Sequence, residues 1–271
     1  MRTLTKLLLT VLVSTCLSLG FFPALGDTTE AVQGSRGRPF TLMQMNTCLS
    51  GLAGCYPRTQ YPAVVDEAIG RIQANDADAV TLNEACSGDV ARIAAETGYD
   101  FRFSTVIYRG APLPCAKPTG RGVFGNAVLT KTHIASSVDA PYTAQNGVEE
   151  RRWICVTTSQ RVNACTSHLT TTGADAGTAN NAQCVELSAV LARFADTGPT
   201  IFGGDVNRQA SCAPAGFWTL TDSEATQARG IQHVYGTARS FTDPVAEIEP
   251  ATYTDHDVLL VRSRLQPPPR R

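Results

Sequence analysis

The sequence predicts a strand-rich α/β protein: a mixed or antiparallel β-sandwich with a few helices packed outside it. Two observations predict this. Nine short apolar runs, bounded by Gly, Pro, Asn and Asp, read as strands, while only three stretches carry helical periodicity. A doubly wound parallel sheet needs a helix between nearly every pair of strands, and the chain does not have them.

The elements follow in order. Arg2 and Lys6 precede apolar runs at residues 7–13 and 17–22, and Ala24-Leu25-Gly26 offers small residues for cleavage, so residues 1–26 read as an export signal. Residues 27–39, with Gly34, Ser35, Gly37 and Pro39, read as a flexible leader, and residues 40–265 as one domain. Strands are expected at 40–46 and 79–84, separated by a helix whose Val64, Val65, Ala68, Ile69 and Ile72 share one face. A weaker helix over 89–97 stops at Gly98. Strands follow at 101–108, 123–130, 152–157 and 162–168. Leu187, Leu191 and Phe194 then mark the apolar face of a later helix. The last strands are 199–203, 231–236 and 257–262, and residues 266–271, with three consecutive prolines, read as a disordered tail.

A hydrophobic fraction of 43% with 17% charged residues excludes disordered and collagen-like classes. The formal net charge of −1 excludes a general basic coat for nucleic acid, so any polyanion must be met locally, in one cleft. Lys6, Lys117 and Lys131 are the only lysines, leaving 20 arginines, a composition suited to phosphate forks. Beyond Cys16 the chain carries eight cysteines, an even number without close Cys-x-x-Cys pairs, which points to oxidised pairs in an exported protein rather than to zinc. Eight cysteines allow about 105 connectivities. Cys155 and Cys165 flank an expected hairpin and Cys48 with Cys55 closes a short loop, and the favoured set adds Cys86 with Cys115 and Cys184 with Cys212.

The informative residues stand where apolar strands stop. Asn46, Asn83-Glu84, His168, Asp205-Val206-Asn207 and Asp255-His256-Asp257 each lie at the end of an expected strand. If the last strand runs antiparallel to its neighbours, all five groups reach one rim. No nucleophilic Ser or Cys stands in a recognisable elbow. Carboxylates, amides and imidazoles suit hydrolysis of a phosphate ester by water: Glu84 and Asp255 as oxygen ligands for a hard cation, Asp205 to orient and deprotonate water, and Asn207, His168 and His256 as donors to phosphoryl oxygens. Taken singly, each also suits a turn or a satisfied core position.

At this point the sequence resembles the magnesium-dependent endonuclease/exonuclease/phosphatase superfamily. The matching segments are Leu42-Met43-Gln44-Met45-Asn46, Ala79-Val80-Thr81-Leu82-Asn83-Glu84, Gly125-Asn126-Ala127-Val128-Leu129, Thr166-Ser167-His168-Leu169, Gly203-Gly204-Asp205-Val206-Asn207 and Asp255-His256-Asp257, in the family's order. The resemblance implies a four-layer α/β/β/α sandwich of two mixed β-sheets with outer helices and a divalent-metal cleft at one rim. It implies Glu84 as the Mg2+ ligand, with Mn2+ or Ca2+ as alternatives, and Asn46 and Asp255 beside it. It also implies Asp205 holding water, Asn207 holding phosphate, and His168 and His256 on phosphate oxygens. Asn126 is expected to brace the cleft, and Arg121, Arg151 and Arg152 are candidate phosphate contacts.

One position departs from the family. Its usual aspartate in the penultimate strand, which orients the histidine of the last motif, is Gln232 here, within Ile231-Gln232-His233-Val234. An amide can accept a bond from His256 but brings no charge to stabilise an imidazolium, so weakened catalysis, a shifted pH optimum, or replacement by another acid such as Asp222 is expected. His133 and His233 lie outside the matching motifs and are read as structural.

The expected activity is that of a secreted nuclease acting on DNA, or RNA, as a monomer without stable membrane association. The alternatives are a sphingomyelinase or phospholipase C-type enzyme or another phosphatase, and a binding relative that lost turnover through Gln232. A lipid-acting relative should expose an apolar hairpin. Gly216-Phe217-Trp218 is too short to be one. Backbone binding through a few arginines, among them Arg109, predicts salt-sensitive and poorly sequence-selective recognition.

Overall fold

The computed structural model describes residues 37–267 except residue 174. The expected export signal, most of the leader and residues 268–271 of the tail lie outside them. The elements in chain order are β1 (Arg38–Asn46), α1 (Ala63–Asn75), β2 (Ala79–Cys86), α2 (Ser87–Thr97), β3 (Asp100–Thr105), β4 (Ile107–Tyr108), β5 (Ala111–Pro112), β6 (Phe124–Thr130), β7 (Ile134–Pro141) and β8 (Glu149–Glu150). They continue as β9 (Arg152–Thr158), β10 (Asn163–Ser167), α3 (Thr178–Thr197), β11 (Thr200–Asp205), β12 (Phe217–Thr221), β13 (Gln232–Thr237), β14 (Phe241–Glu249) and β15 (Val258–Leu265).

Two six-stranded mixed sheets, ordered β14-β15-β1-β2-β6-β3 and β12-β13-β11-β10-β9-β7, face one another. The period-2 alternation of strands explains the layering. In β1, Phe40 and Leu42 point into the core between the sheets, where Val128, Ile154, Ile201, Val234 and Leu259 meet them. Met43 and Met45 point the other way, onto the apolar faces of α1 and α2. The second sheet's outer face, with Trp153, Phe202 and Tyr235, packs on Leu187 and Leu191 of α3. The result is the α/β/β/α sandwich the family resemblance implied. Gly203 lies where the sheets approach too closely for a side chain: a Cβ there would collide with Thr81 Oγ1 and Leu42 Cδ2.

All nine expected strands form. Five strands lie outside the nine expected runs, β5, β7, β8, β12 and β14, and all five are sheet edges. An edge strand can leave a face in water and tolerates charge or proline. Thus β7 reads Ile-Ala-Ser-Ser-Val-Asp-Ala-Pro and β14 contains Asp243-Pro244 beside a register shift. The leader is shorter than expected, since Arg38 and Pro39 already pair with Leu265 and Arg264. At the other end Gln266 N–H donates to Ser240 O, so the expected tail does not begin there.

The favoured cysteine pairs are the ones formed: Cys48–Cys55, Cys86–Cys115, Cys155–Cys165 and Cys184–Cys212. Among the described residues no helix is long and apolar enough to cross a membrane. Trp218 does not form a membrane-entering hairpin: it lies in edge strand β12, packs against the inter-sheet core and donates Nε1–H to Phe241 O.

Arg121 is the clearest structural cation. Its guanidinium is buried and ion-paired to Asp89 at 2.7 Å. It also donates to Leu49 O, Ala116 O and Pro118 O, faces Cys86 Sγ, and lies 4.5 Å from the Tyr61 ring centroid. All five N–H groups of an arginine are thereby engaged, so the expected phosphate contact is replaced by a structural role. Arg121→Leu strands Asp89 without its cation and should lower unfolding free energy by about 3–5 kcal/mol in urea titration, with activity of the folded fraction retained.

Candidate active site

Topology brings the strand ends to one rim. β1 and β2 run parallel with Asn46 opposite Asn83, and β10 and β11 run parallel with His168 bridging to Asp205. Their C-terminal ends therefore share an edge of the sandwich. β15 and β13 are antiparallel to these neighbours and deliver His256 and Gln232 there by their N-terminal ends.

Glu84 is aimed by a backbone irregularity. The β2–β6 register shifts between Leu82 and Ala85, and Glu84 takes φ +54°, a left-handed conformation that costs energy for a residue with a Cβ. The bulge turns its carboxylate toward the opposite sheet. Asn46 Nδ2 bridges the two acids, donating to Glu84 Oε1 at 3.1 Å and Asp205 Oδ2 at 3.0 Å. Asn46 Oδ1 accepts Cys48 N–H, so Asn46 presents a donor and not the ligand oxygen expected from the resemblance. Asp255 stands at the rim, with Oδ1 3.9 Å from His256 Nε2. His256 Nε2 is also 3.8 Å from Asp205 Oδ2.

Burial sets the protonation states. Desolvation, aided by the Asp205 charge and opposed by Asn46 and Arg151, raises the Glu84 carboxyl to about 7. Asp205 is raised by burial as well, against His256 and the donors Asn46 and Asn207 N–H. His168 is pushed well below the ordinary histidine value by burial, then by electrostatic interaction with Arg151 and His256 nearby. A neutral His168 accepts Asn207 Nδ2–H at Nε2 across 2.9 Å, which places its proton on Nδ1, the atom 3.9 Å from Glu84 Oε1. Asn207, at φ +51°, spends its second amide hydrogen on Leu169 O. Both of its amide hydrogens therefore face protein acceptors, one of them on His168.

A hard divalent cation fits this set. Carboxylate oxygens of Glu84 and Asp205 from opposing sheets meet at Asn46 Nδ2, with the third acid Asp255 at the rim beside His256, and hard cations prefer such oxygen donors. Glu84 and Asp255 would hold it. Cys48 and Cys55 also lie beside Glu84, but their sulfurs are joined to each other.

Behind the acids lies a buried amide network that sequence reasoning did not assign. Asn83 Oδ1 accepts Gln44 Nε2–H at 2.9 Å and Asp205 N–H at 2.7 Å. Asn83 Nδ2 donates to Asn126 Oδ1 and Thr166 Oγ1. Asn83 makes all four bonds an amide can make and pins Asp205 to β2 of the other sheet. Asn126 belongs to this brace, as expected, and is too buried to touch substrate. The available signal was a polar residue inside each apolar strand.

Gln232 does not bond to His256. It donates Nε2–H to Asp222 Oδ2 at 3.2 Å and to Asp257 O at 2.7 Å, while its Oε1 faces Gln44 Nε2 at 3.4 Å. His256 Nδ1 is left buried without a partner among the described residues. Asp222 is fully buried and also accepts Gln232 N–H. Restoring an acid by Gln232→Asp alone therefore sets two buried carboxylates against each other. It should lower kcat/KM about 10-fold, and adding Asp222→Asn should recover most of that loss, a coupling readable in a double-mutant cycle.

The other arginines divide. Arg152 is not a phosphate contact, because Asp139 at 2.8 Å and Glu150 neutralise its guanidinium. Arg151 is the one whose charge acts on Glu84, Asp205 and His168. Its Nη1 is buried and lacks a hydrogen-bond partner. His133 pairs with Asp100, and His233 bonds Tyr235 Oη and Gly230 O, both structural as expected.

The sequence pattern of the Endonuclease/Exonuclease/phosphatase family matches residues 52–265. Among solved structures, an endonuclease/exonuclease/phosphatase from Beutenbergia cavernae DSM 12333 aligns with TM-score 0.62 and 19% identity, over 84% of this chain and 72% of that one. The human Nocturnin catalytic domain with bound sulfate aligns with TM-score 0.65 and 15% identity, over 86% and 95%. D. rerio TDP2 complexed with single strand DNA product aligns with TM-score 0.57 and 14% identity, over 83% and 99%. No curated protein sequence matches the chain.

Proposed function

Because the chain belongs to the endonuclease/exonuclease/phosphatase family and is a hydrolase of phosphoester bonds, we propose that it is an exported, metal-dependent phosphodiesterase. It cleaves DNA, or RNA, by attack of water on phosphorus. The observation that carries this reading is the pair Glu84 and Asp205, brought from opposite sheets and bridged by one amide, Asn46. Asp205 takes the proton of the attacking water, and burial, by raising its carboxyl above the ordinary value, makes the carboxylate a stronger base. Asn83 fixes its backbone and Asn207 N–H one of its oxygens. Neutral His168 offers Nδ1–H, and His256 Nε2 lies 3.8 Å from Asp205 Oδ2. Arg151 balances the acids by its charge. Glu84 and Asp255 would hold a magnesium ion, or manganese or calcium in its place, which would supply Lewis-acid polarisation of the phosphoryl group.

Export is supported by the four disulfides, which persist in oxidising compartments. A nucleic-acid substrate is favoured over a membrane lipid because Trp218 is packed into the sandwich. Single-strand DNA product bound to the D. rerio TDP2 neighbour agrees with it. The protein acts as a monomer without stable membrane association. The test is release of acid-soluble nucleotides from double- and single-stranded DNA with magnesium, manganese, calcium or chelator. Release with at least one cation and none with chelator is expected. DNA intact under all three cations removes the nuclease reading and moves the search to sphingomyelin and inositol phosphates.

A further inference from the structure

Next to Glu84 and His168 opens a cavity of about 470 Å3, lined also by Leu52, Tyr108, Leu113, Phe124, Glu149 and Arg151. Its walls are additions to the two large sheets. One is the loop closed by Cys48–Cys55, whose Leu52 and Ala53 N–H groups are tied to Ser50 Oγ. The other is a three-stranded sheet, β5-β4-β8, which sets Tyr108 directly opposite Glu149. Cross-strand partners share a face, so the Tyr108 ring and the Glu149 carboxylate flank the same space.

Two buried charged atoms at this site lack a hydrogen bond. Arg151 Nη1 and Glu149 Oε1 form an ion pair 3.3 Å apart without hydrogen-bonding geometry, and neither has another hydrogen-bond partner among the described residues. An unmade bond on a buried charged group is costly, so this pair is set to receive a ligand offering an acceptor and a donor side by side. A quaternary ammonium would meet Arg151, a second phosphate would meet Glu149, and an acyl chain would leave both unpaired. A flat neutral heterocycle between an aromatic ring and apolar walls satisfies all of them.

We propose that this cavity receives one unpaired nucleobase of the substrate, the base of the nucleotide adjoining the scissile phosphate, so that the enzyme acts on single strands or strand ends. The inference rests on the phosphodiesterase reading for its reaction and on the cavity alone for its base. A base held in a duplex is stacked and paired, and cannot enter a side cavity without being turned out.

Two measurements separate the two readings. The first is calorimetric binding of thymidine 5′-monophosphate and of 2-deoxyribose 5-phosphate to the full oxidised chain, which isolates the base. Stacking on one aromatic ring predicts about 10-fold tighter binding of the nucleotide. Tyr108→Ala should abolish that preference and Tyr108→Phe, which keeps the ring, should preserve it. The second is hydrolysis of methyl 4-nitrophenyl phosphate beside the thymidine 3′- and 5′-(4-nitrophenyl) phosphates. At least one nucleoside ester should exceed the methyl ester about 10-fold in kcat/KM, with the gain lost in Tyr108→Ala. Equal binding of the two phosphates, or equal hydrolysis of all three esters, overturns the base cavity and leaves the phosphodiesterase standing. Base-dependent binding with no ester hydrolysed overturns the phosphodiesterase and leaves the cavity.

Discussion

Asp205→Asn is expected to lower kcat about 10²–10⁴-fold toward any phosphodiester the enzyme cleaves, with KM little changed. The substitution keeps size and removes the charge that takes a proton. Asp205 is fixed from three directions: Asn83 Oδ1 at its backbone, Asn207 N–H at Oδ1 and Asn46 Nδ2 at Oδ2. Asparagine keeps the first two bonds and turns an NH2 toward Asn46 in place of the third. The side chain therefore stays while the base is lost. Thermal unfolding should shift by only a few degrees. A collapse in stability parallel to the loss of rate would instead make Asp205 a structural residue.

Glu84→Gln is expected to abolish metal-dependent turnover, by more than about 10³-fold, and to change how stability responds to pH. Without metal, the Glu84 carboxyl titrates near 7 in the folded chain because it is buried beside Asp205, against an ordinary value of 4.5. Between those two values the folded state holds a proton that the unfolded state has released. Its stability therefore falls as pH rises through that window, and the full cost, about 3 kcal/mol, is reached above pH 7. Glutamine carries no such cost. In chelator, the Tm of Glu84→Gln relative to wild type should rise by about 6–12 °C between pH 5 and pH 8. Adding magnesium should close the gap by stabilising the ionised wild type, since a cation bound only by the folded state adds to its stability. A pH-independent difference would mean that Glu84 is already ionised in the metal-free site.

Much of the fold was legible because a buried strand must be apolar and a strand covered on one face must alternate. Phe40, Leu42, Met43 and Met45 announce β1 by that rule alone, and every interior strand was found in this way. The edge strands β7 and β14 were not, since they satisfy fewer neighbours and carry the Asp, Pro and Ser that local rules assign to loops. The site residues were legible as polar groups that end apolar runs, and the rim they share follows from strand direction. Their orientation was not. Whether an asparagine on such a strand holds an imidazole, bridges carboxylates or braces a neighbour depends on what the adjoining strands and the opposite sheet present, as Asn207, Asn46 and Asn126 show in turn.

The sequence by itself determined the alternation that makes the sheets, the family motifs at the strand ends and the acids that meet there. Only the tertiary structure decided which arginine faces the acids. Arg121, Arg151 and Arg152 are equivalent as letters, but one is consumed by Asp89 and backbone carbonyls, one by Asp139 and Glu150, and one pairs with Glu149 without a hydrogen bond while its charge acts on the acids. The same holds for Gln232, whose amide is claimed by Asp222 and Asp257 O before it can reach His256. Local sequence fixes which groups a strand carries. A hydrogen bond or ion pair is a property of two groups, and at this rim the second group comes from a strand distant in sequence.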